Sequence, residues 1–284
     1  MNDQQAKEIE DWYHVYVGRF QVNGTLPPMQ LLKYDHSMRV AREAMDLARE
    51  LGWQAQNLHL LWITSILHDI GRFSQFAEYG TFSDRESINH AARGAKVLLA
   101  ENTLKNLYEE DRQTILDGVR YHNCKMIPSG LSCPSMNILK LVRDADKLDI
   151  FWVLLDALQT EKVHEHPEYL LGLRADGKAN PKHVRNVCQG KMISTAEIEC
   201  LADLLLLQIG WIFDINHEAT MRHIRDRRFL EQISAFRAED EGIRCAVKAA
   251  VEYRDKKLAA HPDSMEGTCK ATRKSKRLGK EDAV

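Results

Sequence analysis

Six residues in the first half of the chain have the types and spacing to share a cation: His36, His68, Asp69, His90, His122 and Asp146. Imidazole nitrogens with carboxylate oxygens suit Mn²⁺, Fe²⁺, Co²⁺, Ni²⁺ or Zn²⁺, whereas Mg²⁺ prefers an all-oxygen shell. Five of the six stand where helical periodicity asks for Leu or Val. The stripes read Met29, Leu32, His36, Val40, Ala44, Leu47; then Leu58, Leu61, Ser65, His68; then His90, Gly94, Val97; then Ile115, Val119, His122; then Leu139, Val142, Asp146, Ile150, Val153, Ala157. A lone core histidine is ordinarily just a hydrogen-bonded core residue. Five such positions in succession, with Asp69 beside His68, each need a partner, and a buried ionised carboxylate is costly unless paired or metal-bound. A shared cation satisfies them together.

The elements that must carry these residues read as helices. Asn2 or Asp3 caps a first helix to about Phe20, and Gly24 with Pro27-Pro28 breaks it. A second runs from the prolines to Gly52, and a third from about Ala55 to Ile70, placing His68 and Asp69 about 100° apart on one turn. Residues 71–83, with Tyr79-Gly80-Thr81-Phe82, read as a loop able to gate a site. Ser87 opens a fourth helix, in which Gly94 lets another backbone come close. Glu109 to His122 and Pro134 to Gln159 are the fifth and the long sixth. Further on, a short helix follows Asn180-Pro181, an apolar helix capped by Ser194 or Thr195 ends near Ile215, another starts at Asn216, and Glu239 to Leu258 is a final amphipathic helix. With no run of alternating strands, the class is all-α. The organisation is an N-terminal helix (1–24), a metal-binding domain (25–170), a C-terminal helical region (171–262) and a basic, disordered tail (263–284).

Composition narrows the function classes. The 284 residues are 44% hydrophobic and 28% charged, as in ordinary globular proteins, and a net charge of −2 argues against a nucleic-acid binder. From Thr268 onward six Lys and Arg face Glu281 and Asp282, which reads as a solvated, flexible end. Asp203 and Gln208 interrupt the most apolar run, Leu201 to Phe213, which is too short for a bilayer, so no membrane role is expected. The six cysteines (Cys124, Cys133, Cys188, Cys200, Cys245, Cys269) form no close-spaced framework and Met1 leads into a polar stretch, so reduced thiols in the cytoplasm are expected.

On the six residues above, the chain resembles the HD superfamily of metal-dependent phosphohydrolases, named for a His...His-Asp...Asp pattern on a helical bundle. The resemblance covers about Leu31 to Ala157 and puts His36, His68, Asp69 and Asp146 in the four defining positions. Within Arg143-Asp144-Ala145-Asp146-Lys147-Leu148-Asp149 the second aspartate is the match, and Asp149, one turn on, could orient a ligand. The resemblance implies an HD-type helical bundle with additional C-terminal helices. His90 and His122 look like the extra histidines of the dinuclear branches, where the histidine pair holds a second ion and the aspartate bridges both. Two divalent transition-metal ions are therefore expected. Tyr121-His122-Asn123-Cys124 is not followed by Gly-Tyr-Pro, a departure from the branch that degrades cyclic di-GMP.

The implied activity is hydrolysis of a small phosphate ester, nucleotides included, by a metal-activated water, with Asp69 and Arg72 catalytic. Arg72 suits bidentate phosphate contact as well as a plain helix-end cation. Lys125 and Arg85 are further phosphate candidates whose ordinary reading is surface charge. Two alternatives stand beside this one. Some HD-superfamily members use the same ligands for dinuclear iron oxygenase chemistry, and a metal-stabilised helical binding module is the other. Against the module, structural zinc sites are usually four-coordinate and Cys-rich, and no cysteine lies on the histidine stripes. The expected partners are the phosphate ester and a second copy of the chain, for which the C-terminal helices around Trp211-Ile212-Phe213-Asp214 offer a face. His14, His59, His183, His217, His223 and His261 read as ordinary histidines, and His164-Glu165-His166 as an exposed turn.

Overall fold

The computed structural model describes residues 1–260, apart from 166 and 171 and the side chains of 56, 164, 165, 167 and 168. The tail at 263–284 and the exposed-turn reading of His164-Glu165-His166 lie outside the described side chains. Among the described residues the regular structure is helical, with only two isolated bridges, Val22 with Thr25 and Arg174 with Cys200. The fold is all-α, a helical bundle extended by C-terminal helices. No described helix is long and apolar enough to cross a membrane.

Local signals account for most helix starts. Helix α1 (Asp3–Gly18) opens on a capping box in which Asn2 accepts from the Gln5 amide and Gln5 accepts in return from the Asn2 amide. Helix α2 (Pro28–Glu50) has its proline in the first turn, where the missing N–H is no loss. Helices α3 (Ala55–Leu67) and α4 (Ile70–Tyr79) follow, then α5 (His90–Ala100), capped by Asn89 on the Ala92 amide. Helix α6 (Glu109–Tyr121) begins with three acidic residues that favour the dipole's positive end, and α7 (Cys133–Gln159) is capped by Ser132. Helices α2, α3, α6 and α7 form a ring, each packed on the next, while α4 packs on α5 and α5 on α6.

The second half of the chain adds a single turn α8 (Lys162–Glu165), then α9 (Pro181–Cys188), α10 (Leu201–Gly210), α11 (Glu218–Asp226), α12 (Phe229–Phe236) and α13 (Glu241–Ala260). Every residue of α10 is buried, so it forms the centre of this half, with α9 and α13 against it. Helices α11 and α12 pack on α7 and join the two halves.

Three expectations are corrected. The third helix does not run to Ile70: the chain leaves helical geometry at Asp69 (φ −101, ψ 15) and restarts as α4. Residues 71–79 are therefore helix rather than loop, and the connector is the shorter stretch 80–89, which ends in the Asn89 cap rather than at Ser87. The apolar segment after Ser194 is a 3₁₀ turn (Thr195–Glu197), α10 and a second 3₁₀ turn (Trp211–Asp214) instead of one helix, and α12 was not anticipated.

Gly71 explains the second of these. It reads as a turn residue, yet it serves close packing inside a helix: a Cβ there would lie 2.1 Å from the His90 carbonyl oxygen and 2.6 Å from the Gly94 nitrogen. The backbones of α4 and α5 touch at this glycine pair, which sets the start of α5 beside Asp69. Gly71→Ala is expected to lower stability by at least the ~1–3 kcal/mol of ordinary overpacking, because backbone must move. Thermal denaturation checks this, and an unchanged Tm would show that the α4–α5 contact is looser than described.

Candidate metal centre

Four of the six candidate side chains are delivered by helix ends. His68 is the C-cap of α3, Asp69 precedes α4, His90 is the first residue of α5 and His122 is the C-cap of α6. His36 and Asp146 come from the middles of α2 and α7. The structure brings all six together around the Asp69 carboxylate. On one side, His36 Nε2 and His68 Nε2 lie 3.7 and 3.8 Å from Asp69 Oδ2, and 3.1 and 3.7 Å from Asp146 Oδ1. On the other, His90 Nε2 and His122 Nε2 lie 3.2 and 3.5 Å from Asp69 Oδ1, and 3.0 Å from each other. Two groupings result, His36 with His68 and Asp69, and Asp69 with His90 and His122, each compact enough to hold an ion.

The opposite ring nitrogens are all engaged. His68 Nδ1 donates to the Ser65 carbonyl at 2.6 Å and His122 Nδ1 to the Val119 carbonyl at 2.9 Å. The same device is used twice: a histidine at a helix C-terminus satisfies a carbonyl of its own last turn. His36 Nδ1 lies 2.6 Å from Asp149 Oδ2, and His90 Nδ1 lies 2.7 Å from Asp84 Oδ2. A carbonyl or carboxylate oxygen only accepts, so in the neutral rings Nδ1 carries the proton and Nε2 a lone pair. All four Nε2 lone pairs thus face Asp69. His36 Nε2 and His68 Nε2 are buried without a hydrogen bond. Orphaned lone pairs beside carboxylates fit a divalent cation, and the mixed N/O set fits the transition series.

The charges agree with this at His68 and His90. Burial holds the His68 ring down at about 4, against the pull of Asp69 and Asp146, and lowers His90 with help from Arg72. Burial and Lys33 oppose charge on His36, but the carboxylates at its two nitrogens, Asp146 and Asp149, outweigh them and raise it. Burial would also favour a neutral Asp69. Lys33, Arg72, His68 and His122 outweigh that and keep it ionised well below the usual carboxylate range, and Asp146 is lowered by His36 and His68 in the same way.

Residues 34–159 match the family model described as HD domain. This stretch of the chain is an HD domain. No curated protein and no solved structure gives a significant match. HD domains bind divalent metals, and the His/Asp cluster sits inside the matched span.

Solvent reaches the edge of the cluster at Lys33, Arg72 and Asp146. His68 is fully buried and Asp69 nearly so, whereas the side chains of Lys33, Arg72 and Asp146 are 17%, 15% and 16% exposed. Lys33 Nζ is 3.0 Å from Asp69 Oδ2 and Arg72 Nε 3.4 Å from Asp69 Oδ1. Both cations lie against Phe82, at 5.6 and 5.8 Å from the ring centre. Arg72 Nη1 donates to the Phe82 carbonyl, Gln75 and Asp84, which fixes the guanidinium. Asp84, held down at about 2 mainly by His90 and Arg72 against its burial, connects this arginine to the second histidine pair. The other two phosphate candidates are not in the cluster: Arg85 is exposed in the 80–89 connector, and Lys125 is exposed beside Met126, Ile127 and Asp214.

Lys33 and Asp84 were missed from sequence. Lys33 is three residues before His36 and so shares its helix face, a signal that was available. Asp84 sits in an irregular connector, where no periodicity could have marked it. Arg143, Asp144 and Lys147 were not singled out either. Arg143 donates to the Tyr121, His122 and Cys124 carbonyls and pairs with Asp214, which Lys147 also reaches. The fully buried Asp144 accepts from the Asn216 and His217 amides, the Asn216 side chain, His217 Nδ1 and Thr220. His217, read as an ordinary histidine, is thus part of the clamp between α7 and α11.

Asp149 also accepts from Arg39, so it is rigidly placed behind His36. Asp149→Ala is expected to weaken divalent metal binding by roughly 10–100-fold. Calorimetric titration of metal-free protein with Mn²⁺ or Zn²⁺ measures this, and unchanged affinity would remove His36 from the ligand set.

Proposed function

We propose that the chain is a dinuclear metal-dependent phosphohydrolase acting on a small phosphate ester, with nucleotides the first class to examine. The observation that carries the reading is the Asp69 carboxylate, whose two oxygens face two different histidine pairs while two partly exposed cationic side chains stand beside it. In this reading His36, His68, Asp69 and Asp146 hold one ion and Asp69, His90 and His122 the other. Divalent ions bound there supply Lewis acidity, a water with its pKa lowered towards about 7 in the zinc case, and positive charge for phosphoryl oxygens.

The chain's own residues do the rest. Asp69 is held ionised by its surroundings and offers an oxygen to each side without rearrangement. Lys33 and Arg72 project to the partly exposed mouth, where a phosphate monoanion or dianion meets two fixed donors. Arg72 is preorganised by Phe82, Gln75 and Asp84, so little side-chain entropy is lost when it binds oxygen. Lys33 adds a point charge backed by the Phe82 ring. The partly exposed Lys33, Arg72 and Asp146 side chains mark the face that a substrate would approach.

Phosphate release from a panel of nucleotides and small esters, with Mn²⁺, Fe²⁺, Co²⁺, Ni²⁺ or Zn²⁺ added, tests this. Activity is expected to need metal and to fall to background in Asp69→Ala. Folded, two-ion protein that releases phosphate from no ester would overturn the reading and turn attention to oxygen uptake. Lys33→Ala is expected to lower kcat/KM by roughly 10–100-fold, the scale of one charge-assisted hydrogen bond of about 1.5–3 kcal/mol. Steady-state kinetics with the best ester measure it, and an unchanged value would confine Lys33 to a structural role beside Asp69.

A further inference from the structure

Away from the metal centre, α9 and α13 bring two cysteines together. Cys188 ends α9 and Cys245 lies in the first turns of α13, and these helices pack along one another. Their Sγ atoms are 2.9 Å apart, within about 1 Å of the ~2.05 Å of a disulfide bond. Cys245 is exposed and Cys188 half-buried, so a small reagent can reach the pair from solvent.

We propose that Cys188 and Cys245 are a redox-active dithiol that closes to an intramolecular disulfide on oxidation by a low-molecular-weight disulfide. Cys245, the exposed partner, attacks as a thiolate, forming a mixed disulfide and releasing one small thiol. Cys188 then attacks the Cys245 sulfur, which forms the protein disulfide and releases the second small thiol. The two protein thiols lose two protons and two electrons, and the oxidant's S–S bond becomes two S–H groups. Burial, the hydrogen bond to Cys245 and the charge of a Cys245 thiolate push the Cys188 thiol up to about 11. The last two causes vanish once Cys245 is bonded, so the order of attack lessens the obstacle and leaves only burial.

The bond has a structural consequence near the HD domain. The chain leaving Cys188 turns at Gly190 (φ +74) and presents Lys191 and Met192 to a cleft shared with Lys125, Met126, Ile127 and Asp214. Asp214 pairs with Arg143, which donates to the His122 carbonyl. Stapling α9 to α13 fixes the base of that cleft wall. In a reducing compartment the dithiol is the resting form, and the disulfide marks oxidising conditions.

The test uses the full chain, equilibrated with oxidised or reduced glutathione, alkylated with N-ethylmaleimide and analysed by intact mass and peptide mapping. Expected after oxidation is the loss of two alkylation sites, about 2 Da lost before alkylation, a peptide linking Cys188 to Cys245, and full reversal by dithiothreitol. A rise in Tm of several degrees accompanies it, because the bond joins residues 57 apart. Cys188→Ser and Cys245→Ser should each abolish the link, whereas Cys133→Ser should keep it. Full alkylation after oxidation, a glutathione adduct persisting on Cys245, or a disulfide-linked dimer would each overturn the proposal.

Discussion

A carboxylate buried among four imidazoles is the constraint on which this structure depends. Asp69 is almost wholly removed from water, so it must be neutralised, hydrogen-bonded or coordinated. Its neighbours meet that demand in two ways. Lys33 and Arg72 bring fixed positive charge, and the Nε2 atoms of His36 and His68, buried without a hydrogen bond, bring lone pairs that a cation or proton would satisfy. An uncompensated buried charge costs several kcal/mol, and the ring of α2, α3, α6 and α7 is arranged so that this cost is offset at one point.

Helix ends are the means. An α-helix terminus leaves backbone groups without partners, and His68 and His122 use theirs to lock the ring orientation through Ser65 and Val119. The break at Asp69 then turns the carboxylate away from the axis of α3, and the glycine contact between α4 and α5 sets His90 across from it. Orientation of the other two histidines comes from carboxylates, Asp149 behind His36 and Asp84 behind His90, a contact that makes an imidazole a better donor to a metal.

The C-terminal half is tied to this centre through one segment of α7. Successive residues there face different neighbours: Arg143 holds the carbonyls that end α6, Asp144 caps the approach to α11, Asp146 faces the histidines, Lys147 meets Asp214, and Asp149 orients His36. A helix turns about 100° per residue, so seven consecutive residues can serve several directions at once. Movement of the 3₁₀ turn at Asp214 or of α11 would therefore be felt at His122 and Asp146.

The sequence alone determined the helical class and the gathering of His36, His68, His90, His122 and Asp146, because helical period is a local property and a polar residue on an apolar stripe stands out against it. It also marked Gly94 as a place of close approach. It misread the chain between Ile70 and Ser83, since a glycine selected for contact with another helix looks the same in sequence as one selected for a turn. Only the tertiary structure decided that Asp69 starts a new helix and shows one oxygen to each histidine pair, that Lys33 and Asp84 belong to the site, and that Cys188 meets Cys245. Each of those facts depends on contacts between residues far apart in the chain, set by how helices cross rather than by the pattern within any one of them.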